Sequence, residues 1–161
     1  RFCDLVTNPP KFAATVNLEL AKVVKDESFA TAICAVVDAN AKTLRFCAAG
    51  GPPVIVFHAD GRQERLESSG FPFGMLEDSS YEQCEGAFAP GDCLLVCSDG
   101  AFEIHNADGT LLGIDGLIGI LEHLGYPKSP LTKEALEEEL LRFSNAIRLG
   151  DDITVLEVRF N

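Results

Sequence analysis

Two aspartate signatures stand at the ends of apolar, strand-like runs. Ser98-Asp99-Gly100 follows Cys93-Leu94-Leu95-Val96-Cys97, and Gly150-Asp151-Asp152-Ile153-Thr154 opens Ile153-Thr154-Val155-Leu156-Glu157-Val158. An ionised carboxylate at the edge of a buried strand is costly to desolvate unless a positive group compensates it. If the two strands are neighbours their ends converge, and Asp99 and Asp151 could share a hard cation such as Mg²⁺ or Mn²⁺, which prefers oxygen ligands. Gly100 lets the chain turn sharply beside Asp99 without a side-chain clash. The competing reading is a pair of ordinary Asp/Gly turns, which are common. Other chemistries have less to stand on. His58, His105 and His123 are scattered outside any motif and are expected to be solvent-facing or packed. There is no glycine-rich phosphate loop, no nucleophile elbow and no Cys/His pairing that would mark an activated thiolate.

The elements that must position these residues follow from spacing and turn chemistry. Asn8-Pro9-Pro10 is a capped helix start, and Phe12, Val16, Leu20, Val23 and Val24 repeat at helical spacing, which predicts an amphipathic helix over residues 9–25. Phe29 to Val37, a turn at Asp38-Ala39-Asn40, and Thr43 to Ala48 read as a hairpin. Gly50-Gly51-Pro52-Pro53 breaks the strand, Val54 to Phe57 resumes it, and Asp60-Gly61 is a strong hairpin signal before Gln63 to Leu66. After Ser68-Ser69-Gly70 another strand ends near Phe88, and Ala89-Pro90-Gly91-Asp92 turns into Cys93–Cys97. Helical periodicity returns over Asp115–Leu124 and Leu131–Asn145, with stops at Gly125-Tyr126-Pro127 and Gly150, and Ile153 to Phe160 is the final strand. The run Glu137-Glu138-Glu139 reads as a solvated helix face. Antiparallel strands come first and helices cluster later, so the fold class is α+β.

Bulk properties agree with one globular domain. The chain has 161 residues, 47% of them apolar and 24% charged. Thirteen Lys+Arg against 25 Asp+Glu give a net charge of −12. An acidic chain repels phosphate backbones, which argues against nucleic acid as a partner. No apolar run reaches the roughly 18 residues needed to span a bilayer. Arg1-Phe2-Cys3-Asp4 resembles neither a signal peptide nor a natural start, so the chain is read as a fragment. Six cysteines are present, and Cys34, Cys47, Cys93 and Cys97 sit in apolar runs without CxxC spacing, as buried thiols in a reducing cytosol do. The spacing does not favour zinc.

The order of short motifs carries a resemblance. Asn8-Pro9 opens a helix with Val16-Asn17-Leu18-Glu19-Leu20, and Phe29-Ala30-Thr31-Ala32 begins a hairpin. Ala48-Ala49-Gly50-Gly51-Pro52-Pro53, Gly70-Phe71-Pro72-Phe73-Gly74-Met75-Leu76 and Pro90-Gly91-Asp92 follow. Ser98-Asp99-Gly100 with Glu103, Asp108-Gly109, Leu112-Gly113 and Asp151-Asp152-Ile153-Thr154 complete the series. Over nearly its whole length the chain resembles the metal-dependent protein phosphatases of type 2C, in the branch named after the stage II sporulation phosphatase. The resemblance implies an antiparallel β-sandwich flanked by helices, acting as a serine/threonine phosphatase with two Mn²⁺ or Mg²⁺ ions. It implies metal ligation by Asp99 and Asp151, a tight turn at Gly100, orientation of Asp151 by Asp152, and no catalytic residue beyond the metal ligands. Glu103 is read as shaping the loop after Asp99. The implied setting is bacterial, cytoplasmic signalling. It includes a phosphoprotein substrate such as an anti-sigma-factor antagonist and an upstream sensor or receiver domain, without nucleic acid or membrane.

Two departures qualify what carries over. The family's Ala-Gly-His-Pro-Pro histidine is replaced by Gly51. The family's Gly-Asp-x-x-Asp and Asp-Val-x-Gly-His-Gly segments have no counterpart among the eight residues before Pro9, so a sandwich lacking its N-terminal strands is expected, within one N-terminally truncated phosphatase domain over residues 1–161. The alternative is a catalytically inactive, phosphatase-like protein-binding module.

Overall fold

In the computed structural model the described residues are 5–24 and 28–160. Arg1 to Asp4, with Cys3, and the expected last turn of the first helix at residue 25 lie outside them. The chain divides into two compact units, residues 1–92 with 159–161, and residues 93–158.

The first unit begins with α1 (Pro9–Ala21), whose Asn8 cap accepts a hydrogen bond from the Lys11 N–H at 3.1 Å. The buried positions of α1 are Pro9, Ala13 and Asn17, while Phe12, Val16 and Leu20 are only half-buried and Val23 is exposed. The helix therefore buries its small residues deepest, while Val16 and Leu20 of the expected stripe pack, partly buried, against the same core of Ala13, Cys47, Ala49, Phe73 and Tyr81. Strands β1 (Ala32–Asp38) and β2 (Thr43–Ala49) form the expected hairpin, with Asp38 accepting from the Asn40 and Ala41 N–H groups at its turn. After β3 (Val54–Phe57) and β4 (Gln63–Leu66), which pair antiparallel around Asp60-Gly61, comes β5 (Cys84–Ala87) on the far side of β2. Gly86 of β5 faces β4 so closely that a β-carbon there would lie 2.7 Å from Leu66 Cδ1. The two layers of the sandwich meet there, with α1 on the outside of β1 and β2.

Two buried polar residues fasten the loops of this unit. Asn17 is fully buried, donates from Nδ2 to the carbonyls of Leu76 and Glu77 at 2.8 and 3.0 Å, and accepts the Gly74 N–H at 2.8 Å. Asp92, 2% exposed, accepts from the Ala59 and Ala89 N–H groups, both at 2.9 Å, and meets His58 Nδ1 at 3.0 Å. His58 Nε2 lies 3.4 Å from Glu64. Burial alone would raise the Asp92 carboxyl, but the Ala59 and Ala89 N–H groups and the His58 ring outweigh it and hold it below the usual carboxylate range.

The second unit holds β6 (Cys93–Cys97), a 3₁₀ turn at Asp99–Ala101, α2 (Gly113–His123), α3 (Lys133–Ser144) and β7 (Val155–Arg159). Strands β6 and β7 are neighbours and run antiparallel, because the Ser98 N–H bonds the Thr154 carbonyl and the Phe160 N–H bonds the Asp92 carbonyl. Leu95, Leu117, Leu121, Leu136 and Leu140 form the buried interior. Gly125, at φ +78°, ends α2 as expected. Helix α3 ends at Asn145, as the periodicity over Leu131–Asn145 predicts, and Asn145 takes the left-handed conformation with φ 54° before Gly150 is reached.

Replacing Asn17 by Leu removes three hydrogen bonds that tie the Gly74–Glu77 loop to α1, so chemical denaturation is expected to show a loss of about 1–3 kcal/mol. Asp92→Asn keeps one acceptor and is expected to cost about 1–3 kcal/mol at neutral pH. The folded Asp92 carboxyl binds its proton less readily than a free one. Its contribution is therefore complete above the free-chain value and disappears as pH falls through the lower folded value, so the stability gap between the two proteins should close below about pH 4.

Candidate functional site

The strand β6 is apolar because nearly all of it is buried, and the chain leaves it at Ser98 to turn through Asp99–Ala101. The turn is closed by the Asp99 carbonyl, which accepts from the Phe102 and Glu103 N–H groups. Glu103 thus holds the loop through its backbone, as expected of a loop-shaping residue. The Asp151–Thr154 segment arrives beside this turn on its way into β7. A β-carbon on Gly100 would lie 2.5 Å from the Asp152 carbonyl oxygen and 3.4 Å from Asp151 Cβ. Gly100 therefore acts through close approach of two backbones, beyond the sharp turn expected of it.

Ser98, which sequence reasoning quoted without a role, links the same two segments. Its hydroxyl accepts the Thr154 N–H at 3.0 Å and donates to the Asp152 carbonyl at 3.3 Å, while its own N–H bonds the Thr154 carbonyl at 2.9 Å. The signal for it was a small hydroxylic residue immediately before Asp-Gly at a strand end, where two backbones needed a bridging group.

Asp99 and Asp151 are held alike. Asp99 Oδ1 accepts the Gly100 N–H at 2.9 Å, and Asp151 Oδ1 accepts the Asp152 N–H at 2.7 Å. Each carboxylate is thereby turned back over its own backbone. Both side chains, and that of Asp152, are exposed. The desolvation argument drawn from the sequence does not apply to them, since both are exposed, and among the described residues the buried carboxylate is Asp92 instead. Exposed oxygen donors on adjoining segments suit Mg²⁺ or Mn²⁺, which bind through one or two carboxylates and keep much of their water. Among the described residues no group of three His, Cys, Asp or Glu side chains is placed to hold a metal ion, so the donor chemistry fits while the set is incomplete.

Beside Asp151 and Asp152 runs a groove of about 700 Å³. Its lining includes the apolar Leu136 and Leu140 of α3 and Val155 of β7, the cations Lys133 and Arg148, and the carboxylates Glu137 and Glu157. The three histidines take no part in this site. His58 is packed against Asp92, whereas His105 and His123 are exposed. Gly51, at the position of the family histidine, leaves little room for a side chain, because a β-carbon there would lie 3.2 Å from Ile33 Cγ1.

Comparison with known proteins places this geometry in a family. The family model for stage II sporulation protein E (SpoIIE) matches residues 2–161. Protein IcfG of Synechocystis sp. is 26% identical over 133 residues, covering 83% of this chain and 21% of IcfG. The phosphoserine phosphatase RsbU of Bacillus subtilis is 24% identical over 153 residues, covering 94% of this chain and 45% of RsbU. The chain thus spans less than half the length of these curated relatives. Among solved structures, the SiaA-PP2C domain of Pseudomonas aeruginosa superposes with a TM-score of 0.77 at 19% identity, over 95% of this chain and 61% of that one. The Mn-presoaked phosphatase domain of SpoIIE from B. subtilis gives 0.67 at 20% identity, over 98% and 72%. The fold is that of these phosphatase domains, as expected.

Gly100→Ala is expected to push the Asp151–Asp152 segment away from Asp99 and to cost about 1–3 kcal/mol in chemical denaturation, an overpacking penalty that the exposed Gly150 would not incur.

Proposed function

The chain belongs to the stage II sporulation protein E family, and from that premise we propose that it is the main part of one metal-dependent phosphatase domain that hydrolyses phosphoserine or phosphothreonine on a partner protein. The observation that carries this reading is the contact of Gly100 with Asp151 and Asp152, which unites two carboxylate-bearing turns 52 positions apart in the chain (151 − 99). Asp99 and Asp151 would hold Mn²⁺ or Mg²⁺ together with donors from outside the described residues, two ions in the complete site. When bound, such ions neutralise phosphoryl charge and lower the pKa of water. Gly100 and Ser98 keep the two turns in register, and the Asp152 N–H fixes one oxygen of Asp151, so that the other is presented outward. The groove beside Asp151, with Lys133 and Arg148, would take the residues that flank the phosphorylated side chain.

The setting follows from the relatives. RsbU is named a phosphoserine phosphatase, and an anti-sigma-factor antagonist is the proposed kind of substrate, with control from an upstream sensor or receiver domain. Among the described residues no helix is long and apolar enough to cross a membrane, and the reading places the domain in the cytoplasm. A second reading, a protein-binding module without catalysis, draws on the incomplete donor set and on Gly51.

The test is Mn²⁺-dependent hydrolysis of a phosphoserine peptide by the longest natural protein containing this chain, beside Asp99→Ala and Asp151→Ala. Loss of about 100-fold or more in both variants, with folding intact by circular dichroism, is expected if these carboxylates serve the metals. An intact protein inactive at saturating Mn²⁺ would leave the binding module as the better reading.

A further inference from the structure

Cys34 of β1 and Cys47 of β2 stand directly opposite one another in the antiparallel ladder. Side chains of directly paired residues project from the same face of a sheet, and their α-carbons lie about 4.5 or 5.5 Å apart depending on the type of pair. Both values fall within the span of roughly 4.4–6.8 Å that a disulfide bridges, so neither strand has to move for these sulfurs to bond. Both thiols are free. Cys47 is buried with Ala13, Ala49, Phe73 and Tyr81, while Cys34 is half-buried and lines a surface pocket of about 220 Å³ beside Pro9 and Phe12 of α1. One thiol of the pair is thus reachable by a small solute and the other is waiting behind it.

We infer that Cys34 and Cys47 are a reversible thiol–disulfide pair, closed across the β1–β2 ladder by a hydroperoxide. Cys34, as thiolate, attacks the peroxide O–O bond and becomes a sulfenic acid, and the departing alkoxide takes up a proton to leave as an alcohol (water, for hydrogen peroxide). The Cys47 sulfur then attacks the Cys34 sulfur, the S–S bond forms, the S–O bond breaks, and the hydroxyl leaves as water with the Cys47 proton. Two electrons pass from the sulfurs to the peroxide. Cys34 is the thiol that lines the surface pocket, and the neighbouring Cys47 thiol lowers its pKa, which favours the thiolate there.

The other described cysteines lack this arrangement. Cys93 and Cys97 are four residues apart on one strand, roughly 13 Å, and burial pushes Cys97 up to about 11. Cys84 pairs with Phe46, which places it on the opposite face from Cys47, and burial raises it as well.

The test exposes the longest natural protein to hydrogen peroxide under native conditions, blocks remaining thiols with N-ethylmaleimide, and maps peptides without reduction. A Cys34–Cys47 linked peptide that disappears on treatment with dithiothreitol is expected, forming at least about fivefold faster than any oxidation of Cys84. Cys47→Ser keeps a hydroxyl donor beside Cys34 and removes the resolving sulfur, so dimedone should then label Cys34 as its sulfenic acid. Cys34 and Cys47 both remaining alkylatable while Cys84 oxidises first would overturn the inference. So would a Cys47→Ser protein, folded by circular dichroism, whose Cys34 takes no dimedone.

Discussion

A β-carbon on Gly100 would sit 2.5 Å from the carbonyl oxygen of Asp152, a separation that non-bonded carbon and oxygen do not tolerate. That absence of space is the constraint on which the second unit turns. Strands β6 and β7 run antiparallel, so the chain leaving one and the chain entering the other must pass each other where the ladder ends. Strand ends leave backbone donors and acceptors that need partners. Here one serine hydroxyl supplies two of them, taking the Thr154 N–H and giving its proton to the Asp152 carbonyl. A glycine for the approach and a serine for the bonding are enough to bring two aspartate-bearing turns side by side.

The chain uses its polar side chains in two opposite ways. Asn17 and Asp92 are withdrawn from water and fully engaged with backbone groups, so their cost of burial is offset by bonds that fix the Gly74–Glu77 loop and the turns at Ala59 and Ala89. Asp99 and Asp151 each spend one oxygen on the next residue's N–H and face solvent with the rest. Burial separates the structural carboxylate from those available to a ligand, although all three stand near the ends of β6 and β7.

Local signals in the sequence were sufficient for the strands and their turns. Asp38 and Asp60 bond the N–H groups just after them, which is the chemistry their residue types imply at a hairpin. The Asn8 cap and the Gly125 stop likewise act within a turn of themselves. What escaped the sequence depends on partners far along the chain. The buried face of α1 is centred on Ala13 and Asn17 because Asn17 reaches a loop 57 to 60 residues away, which no apolar periodicity reports. Asp92 was visible as part of a turn, but its burial against His58 requires the β3–β4 hairpin to be in place. Helix α3 ends where its periodicity ended, at Asn145, and it is this asparagine in the left-handed conformation, ahead of Gly150, that stops it. The approach of the Asp99 and Asp151 turns was legible as two Asp/Gly signatures at strand ends, whereas the bridging role of Ser98 emerged only once the two segments were seen together.

The exposure of Asp99 and Asp151 has an evolutionary consequence. Each gives the fold little beyond one bond to its neighbour's N–H, so mutation there meets almost no resistance from folding. Gly100 and Ser98, by contrast, are guarded by the architecture whatever the protein does. A lineage released from selection for chemistry would lose the aspartates early and keep the glycine and the serine, drifting toward a silent copy of the same shape. In this design the scaffold stands without the aspartates, and under the proposed function they are the part that only use would maintain.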